Sequence, residues 1–278
     1  YKQKGRGAAV HLGLNLTGPK LGWLADQLEQ LRGGDPPRIY CWRGGMRSAS
    51  IGWLAEQIDL NPKILQGGYK AYRRWAQALF DLTWPLRLMG GRTGTGKTDL
   101  LLALERRGIA ILDLEGMANH RGSSFGGLGL PAQPTTEHYE NKLAEALDRQ
   151  RLKEAPEIWV EAESIQVGCC RIPKGLFDQM KTAPVLEIHR SLDERVQQLV
   201  GVYGHQGAEA LAEATRRISR RLGPQRTKEA LDAIGRGDWA TACRATLDYY
   251  DHCYDREMAR TSRRQSVDLS GTTAAAAA

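Results

Sequence analysis

The sequence predicts an α/β protein made of two successive parallel-sheet units. Three observations carry that reading. Between residues 38 and 80, short apolar runs alternate with helical stretches across glycine turns, the pattern of strand–helix–strand crossovers. At residues 91–98 a glycine-rich turn joins an apolar run to a helical one. Further apolar runs at residues 109–114, 158–160 and 185–188 supply strands for a second sheet.

Length and composition set the bounds. The 278 residues are enough for two ordinary domains, and a 41% hydrophobic content is enough to bury a core. No stretch approaches the roughly 20 apolar residues that span a bilayer. Residues 1–20 lack the apolar run and cleavage site of a signal peptide. The chain opens on Tyr1 rather than Met, as expected of a piece of a longer protein. The five cysteines are an odd, sparse set, which points to a reducing cytoplasm rather than a disulfide framework. With no CxxC pair, no metal site is expected from them. The net charge of +7 suits nucleic acid or phosphate-bearing partners but does not choose between them.

Taken in order, residues 1–34 read as amphipathic helix broken at Gly18-Pro19, followed by a turn at 33–37. Residues 38–42 read as a buried strand. Residues 47–58 read as a helix with Ile51, Leu54, Ala55 and Ile58 on one face, ended by Asn61-Pro62. A strand at 63–65, a Gly67-Gly68 turn and a helix at 69–80 follow. About two strands are few for a self-standing parallel sheet, so this first unit is expected to lack an upstream part. A second unit opens near Leu82, with a strand at 86–89 and a helix at 98–107. From Leu192 onward the pattern is helical and charged, and "GTTAAAAA" closes the chain as a low-complexity, disordered tail. The predicted domains are residues 1–81 and 82–270, with a tail at 271–278.

The turn "GRTGTGKT" fits G-x-x-x-x-G-K-[ST]. Gly91, Gly94 and Gly96 let backbone N–H groups turn inward around phosphate oxygens. Lys97 adds a point charge, Thr98 offers a hydroxyl to Mg²⁺, and the next helix aims its positive end at the anion. Such a loop has an acidic partner at a neighbouring strand end. Asp113 and Glu115 close "IAILDLE", and Glu161 and Glu163 follow "EIWV"; the residues alone leave open which acid serves and which are solvated strand ends. His120 and Arg121, in "GMANHRGSSFGG", read either as loop residues or as ligand contacts.

The stretch "YCWRGGMRSAS" places Cys41 in a basic, glycine-rich turn before a helix. Inward amides, a helix N-terminus and the guanidinium groups of Arg43 and Arg47 all favour a thiolate, and the arginines suit an anionic co-substrate. Sulfur- or selenium-transfer and phosphate-ester hydrolysis both use such a loop. Tyr40 stands where phosphatases of this kind carry His, which weighs against the second. The alternative is a buried strand-end cysteine. Cys169, Cys170, Cys243 and Cys253 read as packing or loop residues. Arg216, Arg217, Arg220, Arg221 and Arg226 lie in a stretch without acids, and Arg256, Arg260, Arg263 and Arg264 form a second cluster. With Arg73, Arg74 and Trp75 they suit RNA, or else form solvated faces.

A cysteine loop followed by a phosphate loop in one basic chain resembles the tRNA 2-selenouridine synthases. The resemblance rests on "YKQKGRGAAVHLG", "YCWRGGMRSAS", "LQGGYKAYRRW", "GRTGTGKT", "DLEGMANHRGSSFG", "QPTTEHYEN", "EAESIQVG" and "YYDHCYD". It implies an N-terminally incomplete rhodanese-like domain followed by a P-loop NTPase-like domain with a helical C-terminal part. The family's upstream segment, with an early Asp-Val-Arg-like strand, is not in the numbered chain. The resemblance further implies replacement of sulfur by selenium at the wobble 2-thiouridine of tRNA. Selenophosphate would be the donor, a selenophosphate supply enzyme a partner, and an S-geranylated base, made with geranyl diphosphate, the intermediate. Cys41 matches the family's loop cysteine, the selenium-bearing nucleophile, and residues 91–98 would grip the diphosphate. Two other readings stay open: a P-loop kinase or ATPase with a regulatory module, and a non-catalytic RNA-binding protein.

Overall fold

In a computed structural model, residues 4–258 and 263–278 are described. Arg260 of the second basic cluster lies outside them. The chain divides into two compact units, Tyr1–Trp75 and Ala76–Ala278.

The first unit opens with α1 (Gly5–Thr17), a 3₁₀ turn (Gly18–Lys20) and α2 (Leu21–Gln30). Pro19 lacks an amide hydrogen, so the helix breaks where the sequence predicts. The expected apolar face is not packed, because neither helix has a buried residue and Leu12, Leu14 and Leu16 are exposed. β1 (Arg38–Ile39), α3 (Met46–Gln57), β2 (Lys63–Ile64) and α4 (Gly68–Leu79) follow. The two strands pair in parallel, Arg38 opposite Lys63 and Ile39 opposite Ile64. β1 is shorter than the predicted strand, since residues 40–45 leave the ladder to form the cysteine loop. α3 buries Ser48, Gly52, Leu54 and Ala55. Ile51 and Ile58 of the predicted face are only partly covered. The division between units falls inside α4.

The second unit runs β3 (Leu86–Gly91), α5 (Lys97–Arg106), β4 (Ile111–Leu112), α6 (Leu114–Ala118), α7 (Thr136–Leu152) and β5 (Ile158–Glu161). A hairpin of β6 (Gln166–Val167) and β7 (Cys170–Arg171) leads to α8 (Lys174–Met180) and β8 (Val185–His189). Four helices follow: α9 (Leu192–Tyr203), α10 (Ala208–Leu222), α11 (Pro224–Gly235) and α12 (Trp239–Met258). β9 (Arg264–Asp268) and α13 (Ala274–Ala277) close the chain.

All ladders of the five-stranded sheet are parallel, in the order β4-β5-β3-β8-β9. This is an α/β architecture consistent with a P-loop-like domain. β3 is central, and the chain leaves it toward one edge and later fills the other. Such a reversal opens a crevice at the carboxyl ends of the strands. The core lies between the sheet and its helices, with Leu112, Leu143, Leu147, Ile158, Val160 and Leu176 fully buried.

Two sequence expectations fail here. The C-terminal region is not purely helical, for β9 completes the sheet edge. Its sequence "RQSVD" offers one apolar residue, Val267, and Arg264 instead pairs with the buried Glu187 of β8 at 3.3 Å. The expected disordered tail is also ordered. Thr273 caps α13 by accepting the amide of Ala276, and Ala274, Ala277 and Ala278 pack against the cluster holding Leu100 and Leu101 of α5.

Candidate functional site

The glycine-rich loop of residues 91–98 joins β3 to α5 at the crevice. Gly91, Gly94 and Gly96 all have positive φ, of 148°, 84° and 77°. Gly94 also needs its bare Cα, because a Cβ would meet the carbonyl oxygen of Arg195 at 2.8 Å. Lys97 Nζ donates to Gly91 O at 2.7 Å. An ammonium has three donors, so two remain for an anion over the loop.

Two arginines hold the loop from behind. Arg195 Nε donates to Thr93 O at 2.8 Å and Arg190 Nε donates to Thr95 O at 3.0 Å. Arg195 is 4% exposed and makes a two-toothed pair with Asp251 of α12. Arg92 bridges to Asp255, one turn further along the same helix, at 2.7 Å. These residues escape a motif search because their partners lie far away in the chain. Only the i, i+4 spacing of Asp251 and Asp255 in "YYDHCYD" hints at them.

The acids divide by depth. Thr98 Oγ1 donates to Glu115 Oε2 at 3.0 Å. Glu115 hydrogen-bonds with Glu163, and burial raises the Glu115 pKa against the pull of Lys97. Gly122 lies over both, where a Cβ would come within 3.0 Å of Glu115 Oε1 and 2.9 Å of Glu163 Oε2. Asp113 caps α6 by accepting the Gly116 amide at 2.7 Å, and burial raises its pKa too. Glu161 is fully buried and does not line the cavity. Its Oε2 accepts the Leu114 amide at 3.1 Å and burial pushes its pKa well up, so it supports the site from beneath rather than facing the cavity. The Thr98 hydroxyl with the Glu115 and Glu163 carboxyls is an all-oxygen set of the kind Mg²⁺ takes.

These groups line a cavity of about 440 Å³. Of the predicted pair in the following loop, Arg121 reaches its wall, donates to Leu128 O at 3.0 Å and lies 5.6 Å over the Tyr203 ring. His120 does not line it. Its ring packs under Gly126, with Nδ1 buried and unpartnered among the described residues and its pKa lowered by burial. Tyr250 and Tyr254 also line the cavity, and their hydroxyls are buried without a well-formed hydrogen bond. Cys253 lines it as an exposed residue rather than packing between helices. A second, apolar cavity adjoins. Thr93, Ser123, Leu199, Tyr203 and Tyr250 belong to both, and Phe125, Val200, Ile234, Trp239 and Leu247 line the apolar one.

In the first unit, the Cys41 sulfur accepts the Gly45 amide at 3.2 Å and lies 3.3 Å from Ser48 Oγ. These contacts bring its pKa to about 6. The Ser48 hydroxyl is the largest cause, then the Ser48 amide, with the Arg43 and Gly45 amides behind and burial opposing. Hydrogen bonds therefore stabilise the thiolate, not the guanidinium groups of Arg43 and Arg47, which stay exposed. Gly68 makes the loop possible. A Cβ there would lie 2.1 Å from Cys41 O and 2.3 Å from Gly44 N. Alkylation of Cys41 by iodoacetamide is expected to rise with pH through a midpoint near pH 6. Ser48→Ala should move that midpoint up toward the roughly 8.5 of a free thiol.

Four arginines of the predicted basic stretch form the outer face of α10, while Arg226 lies in α11 and pairs with Asp248 at 3.0 Å. Arg216, Arg217, Arg220 and Arg221 are exposed, while Leu211, Thr215, Ile218 and Leu222 are buried on the inner face. Arg216 pairs with Glu209 at 3.0 Å, so the face is not wholly free of acids.

Residues 84–277 match the family described as "tRNA 2-selenouridine synthase AAA domain". The chain is 36% identical over 258 aligned residues to a tRNA 2-selenouridine synthase of Aeromonas salmonicida, covering 82% of this chain and 66% of that protein. It is 34% identical over 314 aligned positions to the one of Hydrogenovibrio crunogenus, covering 98% of this chain and 82% of the relative. A third, of Pseudomonas entomophila, is 35% identical over 265 residues, covering 84% of this chain and 68% of the relative. With the glycine-rich loop, the carboxyl pair and the supporting arginines all inside the matched segment, the chain belongs to the tRNA 2-selenouridine synthase family.

Proposed function

We propose that this protein modifies tRNA, replacing sulfur by selenium at a wobble 2-thiouridine through an S-geranylated base. The observation that carries the geranyl half is the pair of adjoining cavities. A diphosphate suits the loop amides and Lys97, while the neighbouring apolar space of about 60 Å³, lined by Phe125, Leu199, Ile234, Trp239 and Leu247, suits part of a hydrocarbon chain. A nucleotide would ask that second space for polar contacts to a base and ribose, which its lining scarcely offers.

In the first step the thiocarbonyl sulfur attacks C1 of geranyl diphosphate. A C–S bond forms, the C–O bond breaks, and diphosphate leaves into the grip of residues 91–98. The Thr98, Glu115 and Glu163 oxygens would hold a Mg²⁺ that offsets the charge of the leaving diphosphate. In the second step water takes the phosphoryl group of selenophosphate, the P–Se bond breaks to give phosphate and a selenide nucleophile, the selenide adds at C2, and geranyl thiolate leaves as the C–S bond breaks. We place Cys41 at this step: its thiolate is present at neutral pH, and its loop presents amides to an anion. Arg43 and Arg47 flank that loop, and the α10 arginines offer phosphate contacts to the RNA.

The test supplies the full chain with a 2-thiouridine anticodon stem–loop, then geranyl diphosphate and selenophosphate, separately and together, with mass readout of the base. Geranyl diphosphate alone should give the S-geranyl base, and both together the selenouridine. Cys41→Ser should lose selenation and keep geranylation. Full selenation by that variant removes Cys41 from the mechanism. ATP turnover without any change in the base would instead favour a kinase or ATPase.

A further inference from the structure

Five aromatic rings in the first unit form a chain that the chemistry above does not use. Ring centroids lie 6.3 Å apart for Tyr40 and Tyr69, 5.5 Å for Trp42 and Tyr69, 5.9 Å for Tyr69 and Tyr72, and 5.2 Å for Tyr72 and Trp75. The spacing of Tyr69, Tyr72 and Trp75 along α4 sets them on one helix face. The backbone ties this ladder to the reactive loop: the Tyr69 amide donates to Cys41 O at 2.9 Å and the Lys70 amide to Trp42 O at 3.0 Å.

Rings at helical spacing ordinarily belong to a core. Here Tyr40, Trp42 and Trp75 remain 62%, 53% and 36% exposed. Along the chain, the charge beside them has one sign. Residues 40–50 and 65–80 contain no Asp or Glu, and Lys70, Arg73 and Arg74 interleave with the α4 rings. Open π-faces among cations are the chemistry that takes unpaired nucleobases, which stack on the rings while their phosphates meet the charges. A paired helix hides its base faces and gains nothing from such a surface.

We infer that the ladder from Tyr40 to Trp75 is a stacking platform for the unpaired bases of an RNA loop, which it presents to the Cys41 loop. The inference rests on the tRNA reading above and names the surface that reads single-stranded RNA.

The experiment measures binding of the full chain to an anticodon stem–loop without the thiouridine, and to the same strand paired with its complement. Trp42→Ala and Tyr72→Ala should each weaken stem–loop binding by roughly tenfold. Duplex binding should change by less than about twofold, and the salt slope should hold because no phosphate contact is lost. Trp42→Phe, which keeps a ring, should bind nearly as the parent does. Each variant is checked by its Cys41 alkylation midpoint, and Trp75→Ala, at the far end of the ladder, replaces any that loses it. Unchanged stem–loop binding, equal losses on both RNAs, or a Trp42→Phe as weak as Trp42→Ala overturns the inference. The RNA carries no reactive base, so ladder-dependent binding without selenation overturns the proposed activity alone. Selenation with ladder-independent binding overturns the ladder alone.

Discussion

Replacing Lys97 by alanine is expected to lower geranylation by roughly 10²- to 10³-fold in kcat/KM, the usual cost of one preorganised donor at a site of developing charge. Two effects add. The ammonium held by Gly91 O at 2.7 Å is aimed at the loop's anion before any ligand arrives, so its loss removes a contact that costs no reorganisation. It is also the positive charge acting on Glu115. Without it, the Glu115–Glu163 pair loses one of the positive charges that offset it against the diphosphate. Steady-state geranylation with varied geranyl diphosphate measures the change. Turnover equal to the parent's would remove the phosphate loop from donor binding. Selenation of a base already geranylated should survive the substitution, because the Cys41 loop lies in the other unit.

Asp251→Ala is expected to destabilise the second unit by about 3–5 kcal/mol, the range for removing one partner of a buried ion pair. For a unit of this size that is a fall of roughly 6–20 °C in melting temperature. The reason is Arg195, 4% exposed and held by both Asp251 oxygens, whose charge would be stranded. Thermal unfolding followed by circular dichroism checks it, and a shift below about 2 °C would show the pair to be dispensable. The double variant Arg195→Met/Asp251→Leu separates stability from geometry. Burying apolar groups of similar size in place of a pair is often neutral, so much of the melting temperature should return. Geranylation should not return, because Thr93 O has lost its donor.

The position of the glycine-rich loop was legible because its signal is local: three glycines, a lysine and a threonine at fixed spacing, after an apolar strand and before a helix. The same holds for Cys41 and for the inward amides that favour its thiolate, although the guanidinium part of the cause was misread. Guanidinium charge is conspicuous in "CWRGGMR", whereas the Ser48 hydroxyl that does most is an ordinary residue seven positions on. Glu115 and Glu161 looked equivalent in sequence. Only the fold separates them, because a strand end places Glu161 under the sheet beside the Leu114 amide, while Glu115 sits in a helical first turn facing Thr98. Arg190 and Arg195 were unreadable, since each serves the loop across 95 and 102 positions of chain. β9 was missed for a different reason: an edge strand with one apolar residue has no alternation to detect.

That edge strand has a consequence for biosynthesis. Arg190, which supports the phosphate loop through Thr95 O, is itself anchored by Leu269 O at 2.8 Å, and Glu194 accepts the Gly271 amide at 2.6 Å. During translation, residues 91–98 emerge early with every motif residue in place, yet Arg190 has nothing to lean on until residues 269–271 follow. A nascent or proteolytically clipped chain ending before β9 would therefore carry the complete signature of a phosphate site without its back support. For this protein a stretch translated long after the loop completes the support of that loop.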